Sequence, residues 1–294
     1  PKSMRSQTQV FKAPTLKEIE AQTEKSNQSI KDDLKESISK AKQLQKDVSD
    51  LNRKLMEKKE LGWEEKKKAE DLLKKEEELK KQLEELRKQN AEKNRQEQEY
   101  KKVNEDILKK QEELQSILDK VMTPELQKMM EELKKLMENV DKNQLQDQLN
   151  QMKQDNKDLQ KELERTIELF KQMEVDKKFQ ENIDKLKDLA KKQDDLAKKS
   201  AEKDADPDKL KAAQDSLNKA FDEFRKDMDD LNKKNEALEE KKDLPATDPQ
   251  EQSIQEEMKN SSESLGDKKS SKASKSQKNA AEKMDKLAQK MEQQ

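Results

Sequence analysis

Residues 41–55 read AKQLQKDVSDLNRKL, and Ala41, Leu44, Val48, Leu51 and Leu55 follow one another at steps of three, four, three and four. That 3.5-residue period is the seam of a left-handed coiled coil, in which one narrow stripe of each helix is apolar. Upstream, Leu16, Ile19, Ile30 and Leu34 lead into the same stripe. Downstream it restarts at Ala69, Leu72, Leu79, Leu83 and Leu86, with Glu76 as a polar exception. Acid-before-base pairs four apart (Glu70–Lys74, Asp71–Lys75, Glu76–Lys80, Glu77–Lys81, Glu84–Lys88) add about 0.2–0.5 kcal/mol each to a helix.

Composition excludes the common alternatives. Of 294 residues, 46% are charged and only 28% hydrophobic, with one Trp, one Tyr and five Phe. Too little apolar volume is present for a Rossmann domain, a barrel or a sandwich. Two Gly and six Pro do not supply the turns of an all-β chain. A disordered polyampholyte shares this composition, but it would show neither a sustained register nor Pro confined between periodic runs. The expected fold is all-α: an elongated antiparallel coiled-coil hairpin with further shorter helices and a short N-terminal extended segment.

The punctuation sets the expected boundaries. Leu61-Gly62-Trp63 holds the first glycine and reads as the hairpin tip. Trp63 either packs across both helices there or stands exposed as a partner-binding anchor. A register shared across the weak stretch 89–99, where Asn90, Lys93 and Glu97 occupy seam positions, predicts one helix over 64–121. Thr15 with Glu18 is a capping box, and Thr123, Asp206 and Asp248, each followed by Pro, read as further helix caps. Gln154-Asp155-Asn156 reads as another break. The chain then divides into an extended segment (1–13), the hairpin (14–122), a helical bundle or coiled-coil segment (123–244), and weaker helices (245–294). That last stretch includes a Ser/Lys-rich region at 259–283, either a linker or a patch for an anionic partner. A parallel homodimer is the competing arrangement, although Gly62 and the Pro breaks interrupt a continuous rope.

No reaction centre emerges. Without His or Cys the chain lacks the commonest general base, metal ligand and thiol nucleophile. Asp204, Asp206 and Asp208 alternate as in a calcium loop, but Lys209 and Asp215 stand where that loop needs Gly and a bidentate acid; N-capping by Asp206 is the other reading. Met130, Met137 and Met228 lie at seam positions, as core filling or as an adaptable binding face. The expectation is no enzyme, no catalytic, cofactor-binding or metal residue, and no cofactor. Net charge is −2 with both signs interspersed, so no nucleic acid is expected as partner. Protein partners or self-association through helices are expected instead. The chain starts at Pro1 and stops inside a periodic segment, and so reads as a piece of something longer.

Three stretches carry a resemblance: Met4-Arg5-Ser6-Gln7-Thr8-Gln9-Val10-Phe11-Lys12-Ala13-Pro14-Thr15-Leu16, Lys58-Lys59-Glu60-Leu61-Gly62-Trp63-Glu64-Glu65-Lys66-Lys67, and Leu163-Glu164-Arg165-Thr166-Ile167-Glu168-Leu169-Phe170-Lys171-Gln172. From residue 4 to about 240 the chain resembles the large membrane-anchored, coiled-coil-containing cell-envelope proteins of Bacteroidota. The resemblance implies an inner-membrane protein with its anchor upstream, then a β-rich domain of which 1–13 is the extended remnant, and this helical region on the periplasmic side. It implies no membrane contact by the segment itself, and it supplies no catalytic residues. Function is then expected to be that of a scaffold or spacer acting through helix packing. The alternative is a chaperone-like module that grips clients in Met/Leu-rich grooves near 126–140 and 210–238.

Overall fold

The computed structural model describes residues 15–57, 62–100, 103–121, 142–202 and 205–293. Most of these residues are helical, with no strand among them. The helices are α1 (Leu16–Glu57), α2 (Trp63–Tyr100), α3 (Glu105–Val121), α4 (Lys142–Ser200), α5 (Pro207–Glu236), α6 (Asp248–Gly266) and α7 (Ser270–Glu292). They form two compact units, Pro1–Phe170 and Lys171–Gln294, divided within α4. The expected extended segment 1–13, Leu61 of the hairpin tip, the Thr123 cap and the 126–140 groove lie outside the described residues.

In the first unit α1 and α2 form the expected antiparallel hairpin. Lys40 Nζ donates to Gln82 Oε1 at 2.7 Å, and Lys75 Nζ meets Asp47 Oδ2 at 2.6 Å. One heptad forward on α1 is matched by one heptad back on α2, so the chain reverses about residue 61. The seams are as read: Ala41, Leu44, Val48, Leu51 and Leu55 are buried against Ala69, Leu72, Leu79, Leu83 and Leu86. The expected Asp71–Lys75 and Glu76–Lys80 pairs do not form as such, because Lys75 crosses to α1 and Glu76 turns inward; Glu84–Lys88 forms at 3.0 Å.

Two boundaries differ from the sequence reading. The single helix expected over 64–121 is two helices. After Tyr100 the chain reverses, and Asn104 Oδ1 accepts from the Asp106 amide at 3.0 Å to start α3 with Glu105 and Asp106 in its first turn. The polar seam of 89–99 is thereby covered by α3: Asn90 donates to Gln115 at 2.9 Å and Gln111 to Glu97 at 2.6 Å. Conversely, Gln154-Asp155-Asn156 does not break α4. Asn156 is buried, and its amide donates both to the Met152 carbonyl (3.0 Å) and to Glu76 Oε2 (3.1 Å). The polar exception Glu76 and the expected break at Asn156 are thus partners of each other. Further along, the Lys93 ammonium lies 4.7 Å from the centre of the Phe170 ring.

In the second unit the remainder of α4 packs with α5, α6 and α7, each antiparallel to the next. Ion pairs Lys185–Asp227 (2.8 Å), Arg225–Glu251 (3.2 Å) and Lys283–Glu257 (2.9 Å) join successive helices, and Lys187–Glu292 joins α4 to α7. Phe221 and Phe224, stacked with centroids 5.7 Å apart, centre a core with Leu186, Met228, Met258 and Met284. Leu196, Leu210, Leu265 and Ala273 form a second, smaller cluster. The Ser/Lys-rich region is no linker but parts of α6 and α7, with Lys268, Lys269, Lys272, Lys275 and Lys278 exposed. Ser261, Ser264, Ala273, Ala280 and Ala281 are buried there, and small side chains let two helices approach closely.

Between α6 and α7 the chain turns through Gly266, Asp267, Lys268 and Lys269, and the left-handed residue is Lys268, with φ 60°. The Lys269 amide closes the turn on the Ser264 carbonyl at 2.8 Å. A Cβ in this region costs about 1 kcal/mol relative to glycine. Lys268→Gly is therefore expected to raise stability by about 1 kcal/mol in a thermal or urea melt. An unchanged midpoint would show that the turn carries no such strain.

Candidate functional site at the hairpin end and in the polar layers

α2 starts at Trp63, and Gly62 stands before it. The Gly62 amide donates to Glu65 Oε2 at 3.1 Å, and a Cβ on Gly62 would stand only 2.6 Å from that oxygen. Glycine here leaves room for the glutamate to reach back over the helix start. Glu65 begins the seam that continues through Ala69, Leu72, Glu76 and Leu79. Trp63 precedes it by two residues and so points off the seam. It is 74% exposed, with Lys67 Nζ 5.1 Å from its ring centre. Trp63 thus does not pack across both helices. Met56, on the other side of the reversal, is also exposed.

The caps divide. Thr15 and Glu18 form the reciprocal box: the Thr15 amide donates to Glu18 Oε2 (2.7 Å), and the Glu18 amide to Thr15 Oγ1 (3.3 Å). These bonds, backbone first, hold the Glu18 carboxyl below its ordinary pKa. Asp206 caps α5, accepting from the Asp208 amide at 3.1 Å and the Lys209 amide at 3.5 Å, and the same bonds lower its pKa. Its oxygens serve the helix start. Asp248 is not a cap: it is the first residue of α6, with Thr247 in the cap position making no side-chain cap bond. Among the described residues no cluster of three or more Asp or Glu is placed to hold a metal ion. None of their helices is long and apolar enough to cross a membrane.

Sequence reading missed the polar layer of the second unit. Gln193 (α4), Gln214 (α5), Ser261 (α6) and Gln277 (α7) are all fully buried at one level. Gln214 Oε1 accepts from Gln193 Nε2 (2.7 Å), Ser261 Oγ (3.1 Å) and Gln277 Nε2 (3.1 Å). Gln214 Nε2 donates back to Gln193 Oε1 at 3.1 Å and to Asn218 at 2.9 Å. This layer lies between the two apolar clusters and draws one residue from each helix. Polar residues at seam spacing were its only signal.

In the first unit the matching feature is Glu76, 1% exposed. Burial, acting against the Asn156 hydrogen bond, raises its pKa above the ordinary carboxyl value, with a smaller push from Asp155. Burial also raises Asp155 itself. Comparison with protein-family models, curated proteins and solved structures gives no match.

Gln214→Leu would leave three buried donors without their acceptor and is expected to cost about 3 kcal/mol in a denaturant melt. A loss under about 0.5 kcal/mol would mean that the layer relaxes or admits water. For Glu76 the folded pKa exceeds the unfolded one. Its favourable contribution is therefore complete below the unfolded carboxyl pKa and is lost as pH rises through the folded value. Glu76→Gln should accordingly stabilise at pH 7 by on the order of 1 kcal/mol, and by little near pH 4. Equal gains at both pH values would exclude titration of Glu76 as the cause.

Proposed function

We propose that this chain is a non-enzymatic structural segment, a scaffold or spacer of a bacterial cell-envelope protein, working through packed helices. The observation that carries this reading is where the apolar side chains go. Along the helices, Leu, Ile, Met and Phe of the seams are buried against other helices of the same chain. Large exposed apolar residues among those described are Met56, Trp63 and Tyr100, and each stands beside a reversal of the chain. Long helical faces are thereby left to charged residues, which suits a spacer, with contact points at the turns. The resemblance to Bacteroidota envelope proteins supports the inner-membrane, periplasmic setting.

The client-gripping alternative needs open grooves. Leu210, Phe221, Phe224, Met228, Leu231 and Leu238, which would line the groove at 210–238, are buried. The test is sedimentation equilibrium over about a hundredfold range of concentration, together with a hydrophobic-dye titration. One-chain mass throughout and little dye fluorescence are expected. A mass rising toward two chains would replace the self-contained spacer with a self-assembling one, and strong dye binding by the monomer would favour the gripping module.

A further inference from the structure

Glu76 on the α2 seam and Asn156 opposite it on α4 are each 1% exposed. The Asn156 amide nitrogen commits both its protons, one to the Met152 carbonyl at 3.0 Å and the other to Glu76 Oε2 at 3.1 Å. The Met152 contact fixes which end of the amide is nitrogen. Asn156 Oδ1 is left buried, with no donor among the described residues. An acceptor so stranded costs about 1–3 kcal/mol. Glu76 has the opposite shortage. Among the described residues its carboxyl accepts from Asn156 Nδ2 and pairs with no cation. On α1, Asp47 is engaged by Lys75 of α2 at 2.6 Å, Lys80 forms no ion pair with Glu76, and Asp155 of α4 adds a like charge. A buried carboxyl without a counter-ion thus meets a buried oxygen without a donor, and one proton on Glu76 satisfies both.

We propose that Glu76 and Asn156 form a proton-held latch, in which the Glu76 O–H donates to Asn156 Oδ1 while Asn156 Nδ2 donates to Glu76 Oε2, and whose loss of that proton frees the first part of α4 from the hairpin. Deprotonation removes the donor, turns a carboxylate toward Oδ1 and leaves its charge buried and unpaired. Burial holds the Glu76 pKa above the ordinary carboxyl value against the Asn156 bond, and Asp155 adds a smaller push. With α4 released, Glu76 meets water and regains its ordinary pKa. Docking therefore takes up a proton: it is complete below the ordinary pKa and weakens as pH rises through the raised one. Before Asn156 the buried apolar side chains of α4 among the described residues are Leu145, Leu149 and Met152, a short seam for the latch to hold. The device lies within the first unit and goes beyond the spacer reading, on which it does not depend.

The experiment uses the whole chain between about pH 4 and pH 9, a range that spans the values buried glutamates reach. The Glu76 carboxyl carbon is followed by NMR, assigned by its loss in Glu76→Gln. Amide hydrogen exchange is followed over residues 145–158 and divided by the intrinsic rates. Glu76 is expected to titrate above the surface carboxyls. Opening of the α4 segment should grow about tenfold per pH unit between the ordinary and the raised pKa, then level off. Glu76→Gln, whose carboxamide bonds Asn156 in both directions without titrating, should abolish that growth. Asp155→Asn should keep it, with the plateau reached at a lower pH because a like charge is gone. Titration of Glu76 among the ordinary carboxyls overturns the latch, and the wild-type titration requires no variant to fold. Growth of opening that persists in Glu76→Gln overturns it equally. So does growth that vanishes in Asp155→Asn, which would make Asp155 the titrating group.

Discussion

Hydrogen bonds between polar side chains buried in the helical seams are the constraint around which the structure is organised. An apolar seam is forgiving of small slips, because one Leu replaces another at the next heptad. A buried amide or carboxyl is not forgiving, since leaving it unpaired costs about 1–3 kcal/mol. Glu76 with Asn156, Asn90 with Gln115, Glu97 with Gln111 and the Gln193–Gln214–Ser261–Gln277 layer each occur at one height only. Each excludes the neighbouring registers that the apolar pattern alone would tolerate. With 28% hydrophobic residues the chain cannot specify its packing by volume, and it does so by matching polar groups.

Surface charge has another role. Among the described residues most ion pairs are exposed and join residues three or four apart on one helix, such as Lys88–Glu84 and Arg95–Glu92. Such pairs are worth about 0–1 kcal/mol each and favour helix over coil without selecting a neighbour. Pairs that cross between helices are fewer and more covered. Arg225 meets a buried Glu251, and Lys242 meets Asp176 where the loop after α5 returns, a loop also held by the Asn235 side chain on the Lys242 backbone. These fix orientation where the apolar seam gives way.

The apolar seams were legible in the sequence because Leu and Ala at heptad spacing have one physical use in a chain so rich in charge. The Thr15 box, the Asp206 cap and the reversal about residue 61 were legible because local chemistry determines them. What escaped was whatever depends on a distant partner. Asn156 looks like a break until Glu76, eighty residues earlier, is set opposite it. The weak seam of 89–99 looks like a poor continuation until α3 folds back over it. Trp63 looks like a packing residue because it is large, yet its place two residues ahead of Glu65 turns it outward. The serines of 259–283 read as flexible by composition, whereas Ser261 and Ser262 bond to α5 at Gln214 and Asp215.

The order of helices in the second unit has a kinetic consequence. α6 and α7 are neighbours in sequence, joined by the short turn at Lys268, so their pairing closes only a small loop. The contacts that shut the ring run from α4 to α7, with Ser274 on the Ala197 carbonyl 77 residues away and Lys187 with Glu292 at a separation of 105. Loop-closure entropy makes such contacts slow to form and gives them little share in an early nucleus. By this argument assembly starts between helices adjacent in sequence, and the seam between α4 and α7 is the last to zip and the first to open.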